Sequence, residues 1–248
     1  MLAGQRQDEI LRLVEKKGSI TLKELVDLTG VSESTIRRDL SELDQKGVLR
    51  KVFGGAVFTG SCNNVVEENV ARRMEISTEE KRRIGRCAAS LIEPNEFIYI
   101  DAGTTTGAMI PFISEYSAVY VTNAVSHALD LIRRGFRVNL IGGELRATTE
   151  AVIGSAACDE LYRYNFTKCF MGTNGIDFDA GFTTPDIAES MVKRSAMRNS
   201  RESFILASYE KFHVITPVRF ADMGRARIIT DRVPEGWRGT LENLIIAP

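Results

Sequence analysis

Residues 32–40 read Ser32-Glu33-Ser34-Thr35-Ile36-Arg37-Arg38-Asp39-Leu40, and Leu43 follows one turn on. Ile36, Leu40 and Leu43 stand at i, i+4 and i+7, which makes one apolar stripe on a helix. Ser34, Arg37, Arg38, Ser41 and Gln45 fall roughly opposite that stripe on the same wheel. Such a helix has an apolar back to bury and an outer face of hydroxyls, guanidinium groups and an amide. Those groups contact phosphates and base edges in a major groove. Ser32 is a good N-cap, Val31 has the staple spacing to Ile36, and Gly47 ends the helix.

The flanks complete a small head. Upstream, Thr21 and Glu24 fit a capping box, and Ile20 can staple onto Leu25. That helix turns Leu22, Leu25 and Val26 inward and stops at Gly30. A helix over residues 5–17 puts Ile10, Leu13 and Val14 on one face, with Gly18 at its end. Helix, short glycine turn and helix fit a helix-turn-helix. Downstream, residues 48–52 and 56–58 read as two strands around Gly54-Gly55, a hairpin signal. This hairpin offers Arg50 and Lys51 to a flanking backbone, as a wing does. The expected unit is a winged helix-turn-helix over residues 1–58.

Charge alone does not make this head a polyanion binder. Residues 1–60 hold ten Lys and Arg against nine Asp and Glu, and the whole chain carries a net charge of −1. A charged helix face is commonly just a solvated one, so the reading rests on where the charges sit.

Residues 59–64 (Thr59-Gly60-Ser61-Cys62-Asn63-Asn64) are small and polar, and residues 67–75 are polar with mixed charge. Residues 59–76 therefore read as a linker. From Ser77 the texture changes. Ser77 and Glu80 form a second capping-box pattern, ahead of a helix to about Ile92. Apolar runs at 97–100, 119–121, 138–141, 169–171, 204–207 and 228–229 then alternate with helical stretches such as 124–134 and 186–199. Alternating elements with unbroken apolar strands predict an α/β domain over residues 77–248, its parallel sheet covered on both faces.

In that domain Asp101-Ala102-Gly103-Thr104-Thr105-Thr106-Gly107 directly follows the first strand. Small residues let a ligand approach the backbone, and free N–H groups at a helix start suit a phosphate. The loop is neither a Walker motif nor a Gly-x-Gly-x-x-Gly fingerprint, and alone it is a weak signal that reads first as an ordinary turn. Other strand ends carry Thr122-Asn123, Gly142-Gly143-Glu144 with Arg146 close behind, Gly172-Thr173-Asn174-Gly175, and Lys211. Ligands of open α/β sheets sit at the carboxyl ends of strands, so these segments can converge on one rim.

The bulk numbers fit a soluble globular protein. Of 248 residues, 44% are hydrophobic and 26% charged, near the globular average. Cys62, Cys87, Cys158 and Cys169 form no Cys-x-x-Cys pair. Zinc and disulfide frameworks are not expected, and a reducing cytoplasm is. No secretory leader or bilayer-spanning run is read in the sequence. No cofactor or metal is implied.

Residues 32–40, with Leu43, Gly47 and Arg50-Lys51-Val52-Phe53-Gly54-Gly55-Ala56, resemble the N-terminal signature of the DeoR family of bacterial repressors. The match spans about residues 6–57. It implies that Ser34, Thr35, Arg37 and Arg38 read or clamp double-stranded operator DNA. Residues 78–230 resemble the DeoR-type sensor domain, on the Asp101–Thr106 loop, Thr122-Asn123, Gly142-Gly143, residues 172–176, Gly181 to Pro185, Glu189, Lys193-Arg194 and Lys211-Phe212. That domain is similar in fold to ribose-5-phosphate isomerase and to CoA-transferases, and the family binds phosphorylated sugars that release DNA. The resemblance implies that Gly103, Thr104, Thr105 and Thr106 cradle a phosphate. Asp101, Asn123, Gly142, Gly143, Glu144, Arg146, Asn174 and Lys211 complete the expected effector set. Two departures stand out: the family often has aspartate where this chain has Asn174 and Ser208.

Rival readings remain at this point. An isomerase-like enzyme needs a positioned general base, and Glu144, Glu189 and Glu210 are available. His127 lies on an expected helix as a structural group, and His213 follows Lys211-Phe212 as a ligand contact at most. A nucleoid or RNA-binding module needs a stronger basic excess and stacking aromatics, which residues 1–60 lack. The expectation is a regulator, not an enzyme, acting as a homo-oligomer (dimer or tetramer). A single winged helix buries little DNA, and symmetric pairs on repeated half-sites are the usual remedy.

Overall fold

The computed structural model describes residues 3–17, 19–45, 49–52, 54–57, 76–234, 237 and 243–248. Several expected features lie outside them: the glycine stops at Gly18 and Gly47, Val48, Phe53 and Phe58 of the hairpin, Cys62, and residues 59–75 of the linker. So do the side chains of Gln45 and Arg50. The chain divides into two compact units, Met1–Val66 and Glu67–Pro248.

The first unit runs α1 (Ala3–Lys17), β1 (Ser19–Thr21), α2 (Leu22–Thr29), α3 (Glu33–Gln45), β2 (Arg50–Val52) and β3 (Gly55–Val57). The Thr21–Glu24 capping box forms: Glu24 N donates to Thr21 Oγ1 at 3.2 Å and Thr21 N to Glu24 Oε2 at 2.9 Å. Gly30 ends α2 with φ 67°, a conformation that only glycine adopts cheaply. Ser32 engages side chains: its hydroxyl lies 3.2 Å from that of Ser34 and 2.9 Å from that of Thr35. Ile10, Val14, Ile20, Leu25, Ile36, Leu40, Leu43 and Leu49 make one core. The sheet has three strands, in the order β1-β3-β2, all antiparallel. Strand β1 is unexpected because three residues carry no readable alternation. Gly55 permits the β1–β3 approach, since a Cβ there would strike the Ile20 carbonyl.

The second unit opens with α4 (Thr78–Ala89), then β4 (Phe97–Ile100), α5 (Thr104–Gly107), β5 (Val119–Thr122), α6 (Val125–Arg133) and β6 (Arg137–Leu140). The hairpin β7 (Glu144–Arg146) and β8 (Ala151–Ile153) follows, with α7 (Ser155–Leu161), β9 (Phe166–Gly172), β10 (Gly175–Asp177) and β11 (Gly181–Thr184). Then come α8 (Ile187–Arg198), β12 (Ser200–Leu206), β13 (Val218–Ala221), β14 (Arg227–Thr230) and β15 (Leu244–Ile246).

Seven of these strands form one parallel sheet in the order β15-β14-β12-β9-β4-β5-β6. Its two faces feed two cores by simple alternation. Tyr99, Val121, Cys169, Met171, Ile205 and Ile228 pack on one side, against Ala157, Leu161, Val192 and Ala196 of α7 and α8. Ile98, Ile100, Tyr120, Phe170, Phe204, Leu206 and Ile229 pack on the other, against Ile84 and Ala88 of α4 and Leu131 of α6. The expected doubly covered parallel sheet is present, with β15 as an unforeseen edge strand. Strands β10, β11 and β13 make a separate antiparallel sheet.

The Ser77–Glu80 capping box does not form. Ser77 is left-handed at φ 51° and makes no side-chain cap. Its hydroxyl donates instead to Glu210 Oε2 at 3.1 Å, a tertiary contact that the local pattern cannot announce. Helix α4 also ends at Ala89, earlier than Ile92.

The order of strands decides where a ligand can sit. The chain leaves β4 for β5 and β6 on one side, then returns to β9 on the other. Loops after β4 and β9 thus diverge and open a crevice at the carboxyl ends, the usual ligand position in such sheets.

Candidate functional site

On α3 the burial divides cleanly. Ile36, Leu40 and Leu43 are buried, whereas Ser34, Arg37 and Arg38 are exposed and Thr35 and Ser41 half-buried. Arg37 pairs with Glu33 one turn back, with Nη2 at 2.6 Å and Nε at 3.0 Å from Oε1. Arg38 makes no hydrogen bond or ion pair among the described residues. The three aspartates of this region differ in placement. Asp39 is buried against Arg6, Asp44 accepts the Lys51 amide at 3.1 Å, and Asp27 is exposed on α2. Lys51 also donates from Nζ to Ser41 Oγ at 2.7 Å, so the hairpin is tied to α3. Arg50 lies on β2, its side chain outside the described residues.

At the β4–β9 crevice, two cavities share the walls Lys81, Ala102, Gly103, Thr104 and Thr149. The wider, about 270 Å³, adds Arg82, Gly107, Ala108, Ile110, Ser126, His127 and Asp130. The narrower, about 60 Å³, adds Thr105, Thr173, Asn174, Glu189, Lys193, Glu210 and Lys211. Together they suit a small metabolite and are too small for a dinucleotide.

Behind the cavity walls, several side chains fix the loops. Asp101 is 2% exposed; its Oδ2 accepts Gly172 N at 3.0 Å and the ammonium of Lys193. Lys193 also donates to the Gly172 carbonyl at 3.1 Å, which ties the ends of β4 and β9 to α8. Thr106 donates to the Asp101 carbonyl at 2.6 Å. Asn123 accepts from Ala102 N at 2.9 Å and donates to the Val152 carbonyl at 3.1 Å. Burial pushes the Glu210 carboxyl up, but Lys211, Ser77 and Lys81 outweigh that and hold it below its ordinary pKa. Burial lowers the His127 pKa to about 4 against the opposing pull of Asp130 and the Gly103 backbone.

Of the residues singled out from sequence, Gly103, Thr104, Thr105, Asn174 and Lys211 line this cavity. Asp101, Thr106 and Asn123 stand behind it and hold its backbone. Gly142, Gly143, Glu144 and Arg146 line neither lobe. Gly142 N donates to Glu160 Oε2 at 2.7 Å, Gly143 takes φ 151°, Glu144 is exposed on β7, and Arg146 pairs with Asp186. Sequence reasoning passed over Lys81 and Thr149, which line both lobes. Lys81 sits on the helix before β4, and Thr149 in a turn after β7, neither at a strand end. Ser208 is buried and lines neither lobe.

A model of the DeoR-like helix-turn-helix domain matches residues 6–61, and one of the DeoR C terminal sensor domain matches residues 76–232. An uncharacterized HTH-type transcriptional regulator FruR of Bacillus subtilis (strain 168) is 40% identical over 236 residues, covering 95% of this chain and 93% of that one. A lactose phosphotransferase system repressor of Staphylococcus epidermidis is 37% identical over 209 residues, covering 83% of this chain and 82% of that one. Among solved structures, ribose 5 phosphate isomerase A from Neisseria gonorrhoeae superposes at a TM-score of 0.40 and 14% identity, over 53% of this chain and 52% of that one. With both domain models matched in order, and relatives aligned along most of its length, this chain belongs to the DeoR family of transcriptional regulators.

Proposed function

We propose that the chain is a transcriptional repressor of a sugar-utilisation operon, released from its operator by a phosphorylated sugar. Helix α3 enters the major groove with Ser34, Thr35, Arg37, Arg38 and Ser41, and Arg50 and Lys51 of the hairpin meet the flanking backbone. The observation that carries this reading is the division of α3: its apolar stripe is buried, while Arg38 stands exposed and, among the described residues, unengaged. Relatives named as regulators and as a sugar-system repressor agree with it.

The effector occupies the crevice beside Gly103–Thr105. Residues 59–76 link the head to a sensor domain that also supplies the contacts of a cytoplasmic homo-oligomer. Among the described residues no helix is long and apolar enough to cross a membrane. The cavity binds its sugar and does not transform it. A general base at neutral pH works best with a pKa near 7, and Glu210 is displaced the other way.

Selection from a random duplex pool, followed by titration with sugar phosphates, tests this reading. The expected result is a preferred sequence, binding that weakens with salt, and release by a sugar phosphate recovered unchanged. Binding without sequence preference, or turnover of the sugar phosphate, overturns it.

A further inference from the structure

Among the described residues six buried side-chain polar atoms have no hydrogen-bond partner, and three of them belong to walls of the one crevice. They are Nδ1 of His127, a wall residue of the wide lobe, Oγ1 of Thr149, a residue that lines both lobes, and Oε1 of Glu189, a wall residue of the narrow lobe. His127 and Thr149 are 7% and 8% exposed, so bulk water does not serve them. Leaving such atoms unpaired is costly, and a cluster of them around a cavity marks where a partner arrives.

Their chemistry specifies that partner. The His127 ring is neutral at pH 7, because burial holds its pKa to about 4. The Gly103 backbone bonds the ring; with the proton on that side, the free nitrogen is an acceptor. A carboxylate oxygen of Glu189 only accepts, and a threonine hydroxyl does either. All three are satisfied by hydroxyl donors, and two of them repel a phosphate oxygen.

Charge points the same way. Lys81, Arg82, Lys193 and Lys211 line the lobes, against Asp130, Glu189 and Glu210. Lys193 is already held by Asp101 from behind. With Lys193 so held, Lys81, Arg82 and Lys211 only balance Asp130, Glu189 and Glu210, so the walls carry no surplus positive charge for a second phosphate.

We infer that His127, Thr149 and Glu189 read the hydroxyls of a singly phosphorylated polyhydroxyl effector, and that the cavity rejects bisphosphates. This inference rests on the proposed reading of the crevice as the sugar-phosphate site.

The test is calorimetric titration of the full chain with hexose monophosphates, the matching bisphosphates and inorganic phosphate. A monophosphate should bind at least about tenfold more tightly than its bisphosphate, since groups left unpaired in a polar site discriminate strongly. Thr149→Val removes a hydroxyl that has no hydrogen-bond partner among the described residues. It should leave the melting temperature unchanged or raised, and weaken that monophosphate by about tenfold or more without affecting inorganic phosphate. His127→Phe should weaken the same ligand. A preference for the bisphosphate, or unchanged affinity in Thr149→Val, overturns the inference alone. If no phosphorylated sugar of either kind binds, the reading of the crevice falls and this inference with it.

Discussion

Arg6 grips Asp39 with two hydrogen bonds, Nε to Oδ2 at 2.6 Å and Nη2 to Oδ1 at 3.1 Å. The pair joins α1 to α3 and is buried on both sides. It also answers an electrostatic problem. Asp39 directly follows Arg38 on the helix proposed to read DNA, where a free carboxylate would repel phosphates. Turned inward and neutralised, it leaves Arg37 and Arg38 to define the outer face. Replacing Arg6 by methionine keeps the apolar stem and strands a buried carboxylate, the costly way to break such a pair. The melting transition of the head should fall by about 5 °C or more, and scanning calorimetry of the full chain should show it. An unchanged transition would mean that Asp39 finds water or another donor.

The two arginines of α3 should behave differently, because among the described residues only Arg37 is engaged. Arg38→Ala should weaken operator binding by roughly 1–3 kcal/mol. Arg37 must leave Glu33 before it can reach DNA, so Arg37→Ala should cost less. Glu33→Gln should tighten binding several-fold by releasing Arg37 and removing a charge that repels phosphates. Fluorescence anisotropy with a labelled operator duplex separates these cases. Equal losses in both arginine variants would show that the ion pair does not survive near DNA.

What could be read in the sequence was what is decided locally. The stripe of Ile36, Leu40 and Leu43 and the box of Thr21 and Glu24 each need only a few neighbouring residues, and both are present. The same box pattern at Ser77 and Glu80 failed because a distant residue, Glu210, claims the serine. Strands β1 and β15 are three residues each and become strands only by pairing. The crevice was half legible. Strand-end loops announce Gly103–Thr105 and Asn174, because small and polar residues at such positions are rarely demanded by packing. Nothing local announces Lys81 or Thr149, which the fold brings in from a helix and a turn. Nor does sequence distinguish a polar group facing a ligand from one holding a loop, as Asp101 and Asn123 do.

Effector response and operator binding should separate by mutation. Thr105 and Lys211 line the narrow lobe, far in sequence from the head. The double variant Thr105→Ala with Lys211→Ala should retain operator affinity within about threefold, given the independence of sites without shared partners. It should lose release by the sugar phosphate. Release at the wild-type effector concentration would place the effector elsewhere.

The buried imidazole of His127 makes stability depend on pH in a defined window. Its pKa is about 4 in the folded chain against 6.5 for a free histidine. Above pH 6.5 the ring is neutral in both states and contributes no penalty. As pH falls below 6.5 the unfolded chain takes up a proton that the folded chain refuses, so stability drops until the folded ring titrates near pH 4. The full loss is about 3 kcal/mol, and about 2 kcal/mol of it is reached by pH 5. Urea titrations of the sensor domain's transition at pH 7 and pH 5 should show that drop, and His127→Phe should flatten it. A bound effector that donates a hydroxyl to Nδ1 stabilises the neutral ring further, so saturating monophosphate should extend the window to lower pH. If the histidine variant keeps the full pH dependence, the titration belongs to carboxylates and the ring is not the sensitive group.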